Sequence, residues 1–332
     1  MQDQIHRLPK VELHSHLEGT IRPALAKEIA TRNNITLDPN LFQVNGSYAW
    51  SDFPSFLKAY DSVSSCLKSG KDYQDITYEY LKDCAMENVV YAETFISPDH
   101  AAECGISYDD MISGIASGID DAERDFGIIG RIIVTCVRHL GPTQGLNVVR
   151  TMVDNPHPYV VGFGMGGDEN AYTLEEFADV YKIAKKAGYK CTVHAGEICG
   201  PESVWDAIKY LPISRIGHGV NCIKDEKLMG ELQQRNIHLE ICPGSNLSLS
   251  IFPDWNSHPL PSIMRKSISI SLNSDDPPFF NTTVGQEYHD SAKHFNLGIE
   301  DLKQISEMAM KASFIDSKIK SRLIDKIQKF QS

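Results

Sequence analysis

The chain has no apolar run approaching the roughly 18 residues that cross a bilayer, so a membrane role is not expected. It has no Cys-x-x-Cys pair. Its eight cysteines, at positions 66, 84, 104, 136, 191, 199, 222 and 242, are scattered, and Cys136 and Cys242 adjoin apolar runs. A disulfide framework is therefore not expected, and reduced, buried thiols in a cytoplasmic protein are. No cluster of lysine and arginine stands out against a formal net charge of −12, so the footprint of a nucleic-acid binder is missing. The acidic balance also repels polyanions, which favours an uncharged or weakly charged partner over a nucleotide phosphate. The opening MQDQIHRLPK lacks the apolar core of a secretory signal. There is no low-complexity tract and no repeat. These absences leave the oligomeric state open.

What is present fits a globular protein with a large core: 42% of the 332 residues are hydrophobic and 23% charged. Short apolar segments alternate with longer amphipathic ones. Eight segments read as strands: Val11–His14, Val89–Phe95, Gly130–Val137, Tyr159–Phe163, Lys190–His194, Arg215–Gly217, Ile237–Ile241 and Ser267–Leu272. Helix-like stretches lie between them, among them Ser51–Leu67, Tyr108–Phe126, Leu174–Ala187 and Lys224–Gln234. Ile299–Ala312 and Asp316–Phe330 follow the last strand. Ala187-Gly188 reads as a helix stop. Strand then helix, eight times over, predicts an α/β fold: a parallel (β/α)8 TIM barrel with extra helices. It would span 1–332 as one domain, because such barrels routinely exceed 200 residues. The segment Leu37–Trp50 is expected as a surface excursion after the first strand, placed where it could cover a site.

In a barrel of this kind the chemistry lies at the C-terminal ends of the strands. Residues i and i+2 of a strand face the same way, so His14 and His16 can share one ion. His194, after the β-type run Cys191-Thr192-Val193, adds a third nitrogen. Asp275-Asp276, ahead of Pro277-Pro278, offers one ligand and one hydrogen-bonding carboxylate. Three nitrogens and a carboxylate suit one Zn²⁺ with an open position, where a bound water has a pKa near ~7. A second metal is not expected: the end of the fourth strand, Gly162 to Glu169, holds no lysine to bridge two ions. Glu197, three residues beyond His194, can stand beside the metal as a protonated general acid. His218, between Gly217 and Gly219, is placed to orient or deprotonate water. The turn at Gly164, Gly166 and Gly167 is not a phosphate loop, but its bare backbone can offer an N–H to a flat heterocycle. His100, His139 and His258 fall into no pattern and read as structural.

Taken together, KVELHSHLEGTIRP (10–23), GMGGDE (164–169), TVHAGE (192–197), RIGHGV (215–220), ICPGSN (241–246), HPL (258–260) and SLNSDDP (271–277) resemble the adenosine deaminase family, the aminohydrolase branch of the amidohydrolase barrels. The resemblance runs through most of the chain. It implies that His14, His16, His194 and Asp275 hold zinc, with Asp275 also in the catalytic set. Glu197 would protonate purine N1, and His218 would act on the attacking water. His16, Glu18, Gly167 and Asp276 would face the substrate, Asp276 at N7 and the Gly167 backbone at N3. The implied reaction is hydrolytic deamination of adenosine or 2′-deoxyadenosine to the inosine product plus ammonia, in purine salvage.

Two branches of the family compete. The residue two beyond the second histidine of HxH is usually Asp in adenosine enzymes and binds the ribose 5′-hydroxyl; here it is Glu18, and HLEG is common in adenine deaminases. GGDE points back to adenosine, although Gly164 replaces an acidic residue often found there. Adenosine is the expected substrate, with adenine the alternative. A more remote alternative is a non-catalytic nucleoside-binding protein on this scaffold, which would have lost a ligand, the acid or the water-directing histidine; all are present.

Overall fold

Runs such as Val-Val-Tyr-Ala at 89–92 and Ile-Ile-Val at 132–134 have no polar face, and the fold buries them on both sides. A computed structural model describes residues 1–331. Nine strands run among them: β1 (Lys10–His16), β2 (Val89–Ile96), β3 (Ile129–Val137), β4 (Val160–Gly166), β5 (Lys190–Cys191), β6 (His194–Ala195), β7 (Arg215–His218), β8 (His238–Ile241) and β9 (Ile270–Leu272). Every pairing between named strands is parallel, in the order β1-β2-β3-β4-β5 and β6-β7-β8-β9.

The expected fifth strand is one stave in two pieces. Pairing stops at Thr192-Val193, where the backbone changes neighbour: Thr192 N–H donates to Phe163 (3.1 Å), whereas the Val193 carbonyl accepts from Gly217 (2.8 Å). The eighth stave closes onto the first through a short contact. Asp275 N–H donates to the His14 carbonyl (3.0 Å), and His16 N–H donates to the Asp275 carbonyl (3.1 Å). Below that bridge Leu13 N–H finds the Asn273 side-chain oxygen at 3.0 Å. This is the parallel barrel that the alternation implies.

The helices follow their sequence signals. Ser107 caps Tyr108–Phe126 by accepting from Asp110 N–H, and Gly127, at φ 74°, ends it. Asp52 and Ser55 form a capping box on Phe53–Ser64. The stretch at Leu174–Ala187 begins as a single tight turn, Glu175–Phe177, and becomes α-helical over Ala178–Lys186. The helix Gly141–Asp154 was not read from the sequence. Its two glycines and Pro142 hide it, yet Pro142 sits in the first turn, where its missing N–H costs nothing. No helix among the described residues is long and apolar enough to cross a membrane.

The lower part of the barrel interior holds charge. Arg215, fully buried, pairs with Glu93 (2.5 Å) and Glu240 (2.5 Å), and its guanidinium lies 3.7 Å from the centre of the Phe314 ring. Tyr91 also donates to Glu93 at 2.6 Å. Two buried carboxylates around one cation tolerate loss of that cation badly. Arg215→Met should lower unfolding free energy by about 3–5 kcal/mol in urea titrations; a midpoint unchanged from the parent chain contradicts this reading of the network.

Candidate active site

β1 presents His14 and His16 to the same end of the barrel, as the two-residue period requires. The barrel brings them to His194 of β6 and Asp275 beyond β9. The Nε2 atoms of His16 and His194 lie 3.2 Å apart, and Asp275 Oδ1 lies 3.5 Å from His14 Nε2 and 3.4 Å from His16 Nε2. Tetrahedral ligands bonded to zinc at about 2.0–2.2 Å stand about 3.3–3.6 Å from one another. These three separations match one small cation, although the donor atoms that all lie within 4.8 Å of one another are those of His14, His194, His218 and Asp275, while His16 groups with Asp275 and Asp276.

The donor chemistry fits as well. His194 Nδ1 donates to the Met165 carbonyl (2.8 Å), which leaves Nε2 with a lone pair facing the cluster. His14 Nδ1 is held by Glu240 at 2.8 Å, and its buried Nε2 has no hydrogen-bond partner. A carboxylate behind a ligating imidazole is the usual outer support of such a site. Burial alone would depress the His14 pKa, yet Asp275 and Glu240 push it up to about 10. Two carboxylates aimed at this ring call for positive charge, which a divalent cation bound here would supply. Glu12 braces the same ends by accepting from His14 N–H (3.0 Å) and from the Ser274 hydroxyl (2.7 Å). Gly217 makes room: a Cβ there would stand 2.7 Å from His14 Cε1.

Glu197, His218, Asp276, Glu18 and Gly167 all border one cavity of about 740 Å3, its open mouth included. His218 sits at φ 58° and Asp275 at φ 62°, a left-handed backbone that non-glycine residues rarely adopt. His218 Nε2 faces Glu197 Oε2 (3.6 Å) and Asp275 Oδ2 (3.9 Å). Burial, together with Asp275 and Glu169, holds the Glu197 carboxyl well above the ordinary range. Burial, then Asp275, does the same for Asp276, whose Oδ1 has no partner within the protein. Asp275 goes the other way. Burial opposes its charge, but His14, His218 and His16 hold it well below the usual range. Gly19 leaves space for Asp276: a Cβ there would overlap its carboxylate.

Sequence reasoning missed part of the wall. His100 and His139, read as structural, both line the cavity. His139 Nδ1 accepts from Asp168 N–H at 3.3 Å, beside Gly167. The strand-end rule applied to the first histidines would have found it, since β3 ends at Val137. His258 is buried outside the cavity and bonds to Asn246 at 3.2 Å. The cover over the mouth also differs. Phe53, Phe56 and Leu57 of the helix Phe53–Ser64 line it, whereas Leu37–Trp50 contributes no lining residue. That segment packs instead on the turn after Asp276, with Tyr48 stacked on Phe279 at 4.2 Å and Trp50 Nε1 donating to the Phe279 carbonyl. Glu169, unremarked before, accepts N–H bonds from Glu197 (3.2 Å), Ile198 (2.7 Å) and Cys199 (2.9 Å), and so holds the turn that carries Glu197.

With this geometry in view, the comparisons are specific. The adenosine deaminase family model matches residues 9–330. An adenine deaminase of Agrobacterium fabrum is 40% identical over 320 residues, covering 96% of this chain and 98% of the relative. The crystal structure of an adenine deaminase from Arthrobacter aurescens superposes with a TM-score of 0.92 at 27% identity, covering 97% of this chain and 99% of that one. An amidohydrolase from Burkholderia ambifaria with bound Zn superposes at 0.89 with 28% identity, covering 98% and 93%. The chain belongs to the adenosine deaminase family, and it is a purine aminohydrolase on a TIM-barrel amidohydrolase fold.

Zinc content after dialysis should fall from about one equivalent per chain to a small fraction in His194→Ala. Glu240→Gln should weaken zinc affinity about 10- to 100-fold while leaving the ligands in place. Full zinc retention by His194→Ala contradicts the ligand assignment.

Proposed function

We propose that the protein is a zinc-dependent adenine deaminase, converting adenine to hypoxanthine and ammonia. The observation that carries the choice of free base is the Glu18 side chain. It is 1% exposed, and its carboxylate accepts from Tyr73 Oη (3.2 Å), Tyr60 Oη (3.3 Å) and Ser97 N–H (3.2 Å). Burial raises its pKa. A carboxylate engaged by three protein donors is poorly free to take a ribose hydroxyl, and its extra methylene fills volume that a shorter acid would leave to the sugar. The adenine deaminase relatives support the same choice. The adenosine preference drawn from GGDE gives way to this reading.

The roles are those the family resemblance implies, carried onto residues that the fold brings to one cavity. His14, His16, His194 and Asp275 would hold the zinc ion, which would supply water activated at neutral pH. Oxygen addition at C6 moves the N1–C6 π pair onto N1, and Glu197, kept in its acid form, gives N1 a proton. Asp276, likewise protonated, donates to N7, an acceptor. The Gly167 N–H is offered to N3. His218 orients the attacking water beside Asp275. The proton count closes when the proton removed from the attacking water passes to the 6-amino group, which leaves as ammonia, and the C6 hydroxyl returns its proton to Glu197 as the C6 carbonyl forms.

Four measurements test this. A panel of adenine, adenosine, 2′-deoxyadenosine and N6-methyl variants, read by ammonia release, should show adenine turned over fastest; faster adenosine turnover contradicts the choice of base. Glu18→Asp should raise kcat/KM for adenosine relative to adenine by about tenfold or more, the usual worth of a methylene. Glu197→Gln should keep its zinc and lose about 10²- to 10⁴-fold in kcat. The acid form of Glu197 exists below its raised pKa, so kcat should fall as pH rises through a limb well above the ordinary glutamate value of about 4.3; activity insensitive to both changes refutes the assignment of the acid.

A further inference from the structure

His218 is the end of a chain of buried hydrogen bonds whose direction is set by a backbone amide. A peptide N–H can only donate, and Leu260 N–H donates to His258 Nδ1 at 3.2 Å. His258 is 3% exposed, and burial pushes its pKa down to about 3, so the ring is neutral. Its single proton must then sit on Nε2, which donates to Asn246 Oδ1 at 3.2 Å. That contact orients the Asn246 amide. Its other end, the Nδ2 amino group, faces His218 Nδ1 at 3.4 Å and donates to it. His218 Nδ1 is therefore an acceptor. The remaining nitrogen of His218, Nε2, faces Glu197 and Asp275.

The three side chains have little freedom to do otherwise. Asn246 and His218 are buried with His258. Asn246 N–H is bonded to the Cys242 carbonyl (3.0 Å), and its own carbonyl accepts from Ile251 N–H (2.9 Å). The His258 ring packs against Phe252 and Phe295, with centroids 5.2 and 5.6 Å away. The opposite tautomer of His218 would set an N–H against an N–H at Asn246. Turning the amide over would set two N–H donors together at His258.

We propose that the Leu260 amide, acting through His258 and Asn246, locks His218 with its proton on Nε2, so that His218 presents a hydrogen-bond donor to the reaction centre and orients water rather than deprotonating it. Asn246 and His258 are then positioning residues. The donor is matched to its neighbours, since the oxygens nearest Nε2 are carboxyl oxygens of Glu197 (3.6 Å) and Asp275 (3.9 Å). The inference deepens the reading of His218 given above. It can fail while that reading stands, because its primary test needs no substrate.

The test is a long-range ¹H–¹⁵N correlation spectrum of the zinc-loaded enzyme with ¹⁵N-labelled histidine, His218 being assigned by the signal lost in His218→Asn. The expected pattern for His218 is an unprotonated Nδ1 and a protonated Nε2. Asn246→Asp replaces the donor with an acceptor, and should move the His218 proton to Nδ1. With zinc content unchanged, it should lower kcat roughly 100-fold and leave KM within about twofold, the signature of a contact that matters in the transition state. His258→Gln, which keeps a donor towards Asn246, should retain the native His218 tautomer and most of kcat. A protonated Nδ1 in the unaltered enzyme overturns the proposal, as does native kcat in Asn246→Asp. Should Asn246→Asp fail to fold, the spectrum of the unaltered enzyme and His258→Gln still decide it.

Discussion

The closure of the barrel and the assembly of the metal-ligand cluster are one contact. The last stave meets the first through two peptide hydrogen bonds, and the three residues that make them are His14, His16 and Asp275. Three of the four converging donors are thus placed by main-chain register rather than by side-chain packing alone. The fourth, His194, is held by the Met165 carbonyl of the neighbouring stave. The left-handed backbone of Asp275 belongs to the same contact: the chain turns sharply there to serve His14 and His16 from one residue. The contact that closes the scaffold therefore also brings His14, His16 and Asp275 together.

Charge is layered below and above that contact. Below it, Arg215 neutralises Glu93 and Glu240; burial opposes the Glu240 charge, but Arg215 and the His14 hydrogen bond outweigh it and leave Glu240 ionised, at about 2, behind His14. Above it, Glu197, Asp276 and Glu18 are all raised by burial. The result is a pair of adjacent aspartates with opposite states. Asp275, beside three imidazoles, is the base-like partner, and Asp276, with none bonded to it, keeps its proton. A heterocycle whose ring nitrogens are acceptors, entering between Glu197 and Asp276, meets donors. One buried cavity thus holds acids and a carboxylate together at neutral pH, because each group's surroundings differ and not its chemistry.

Much of this was legible in the residues. The eight staves show because each is a short apolar run closed by a polar cluster, and HSH, HAGE and SDDP mark the ends where metal-binding residue types gather. The break in the fifth stave was not legible. Cys191-Thr192-Val193 has full strand character, and only the change of hydrogen-bonding neighbour interrupts it. His139 and His100 were passed over because neither sits in a doublet, though each lies just beyond a strand end. His258 is remote in sequence from His218, and their coupling through Asn246 depends on tertiary packing that no local pattern records. The cover was misplaced for a similar reason. Leu37–Trp50 looks like a loose excursion, yet its aromatics dock on Phe279, and the covering residues come from the next helix. The proposed choice of free base over nucleoside rests on where the Glu18 carboxylate points, which one methylene in a sequence does not reveal.

The whole account stands on four side chains meeting around a single ion. Anomalous diffraction recorded on either side of the zinc absorption edge, from crystals of the zinc-loaded enzyme, tests this directly. One peak should appear among His14 Nε2, His16 Nε2, His194 Nε2 and Asp275 Oδ1, at about 2.0–2.2 Å from each. A zinc peak elsewhere in the barrel, or no peak within reach of those four atoms, contradicts it.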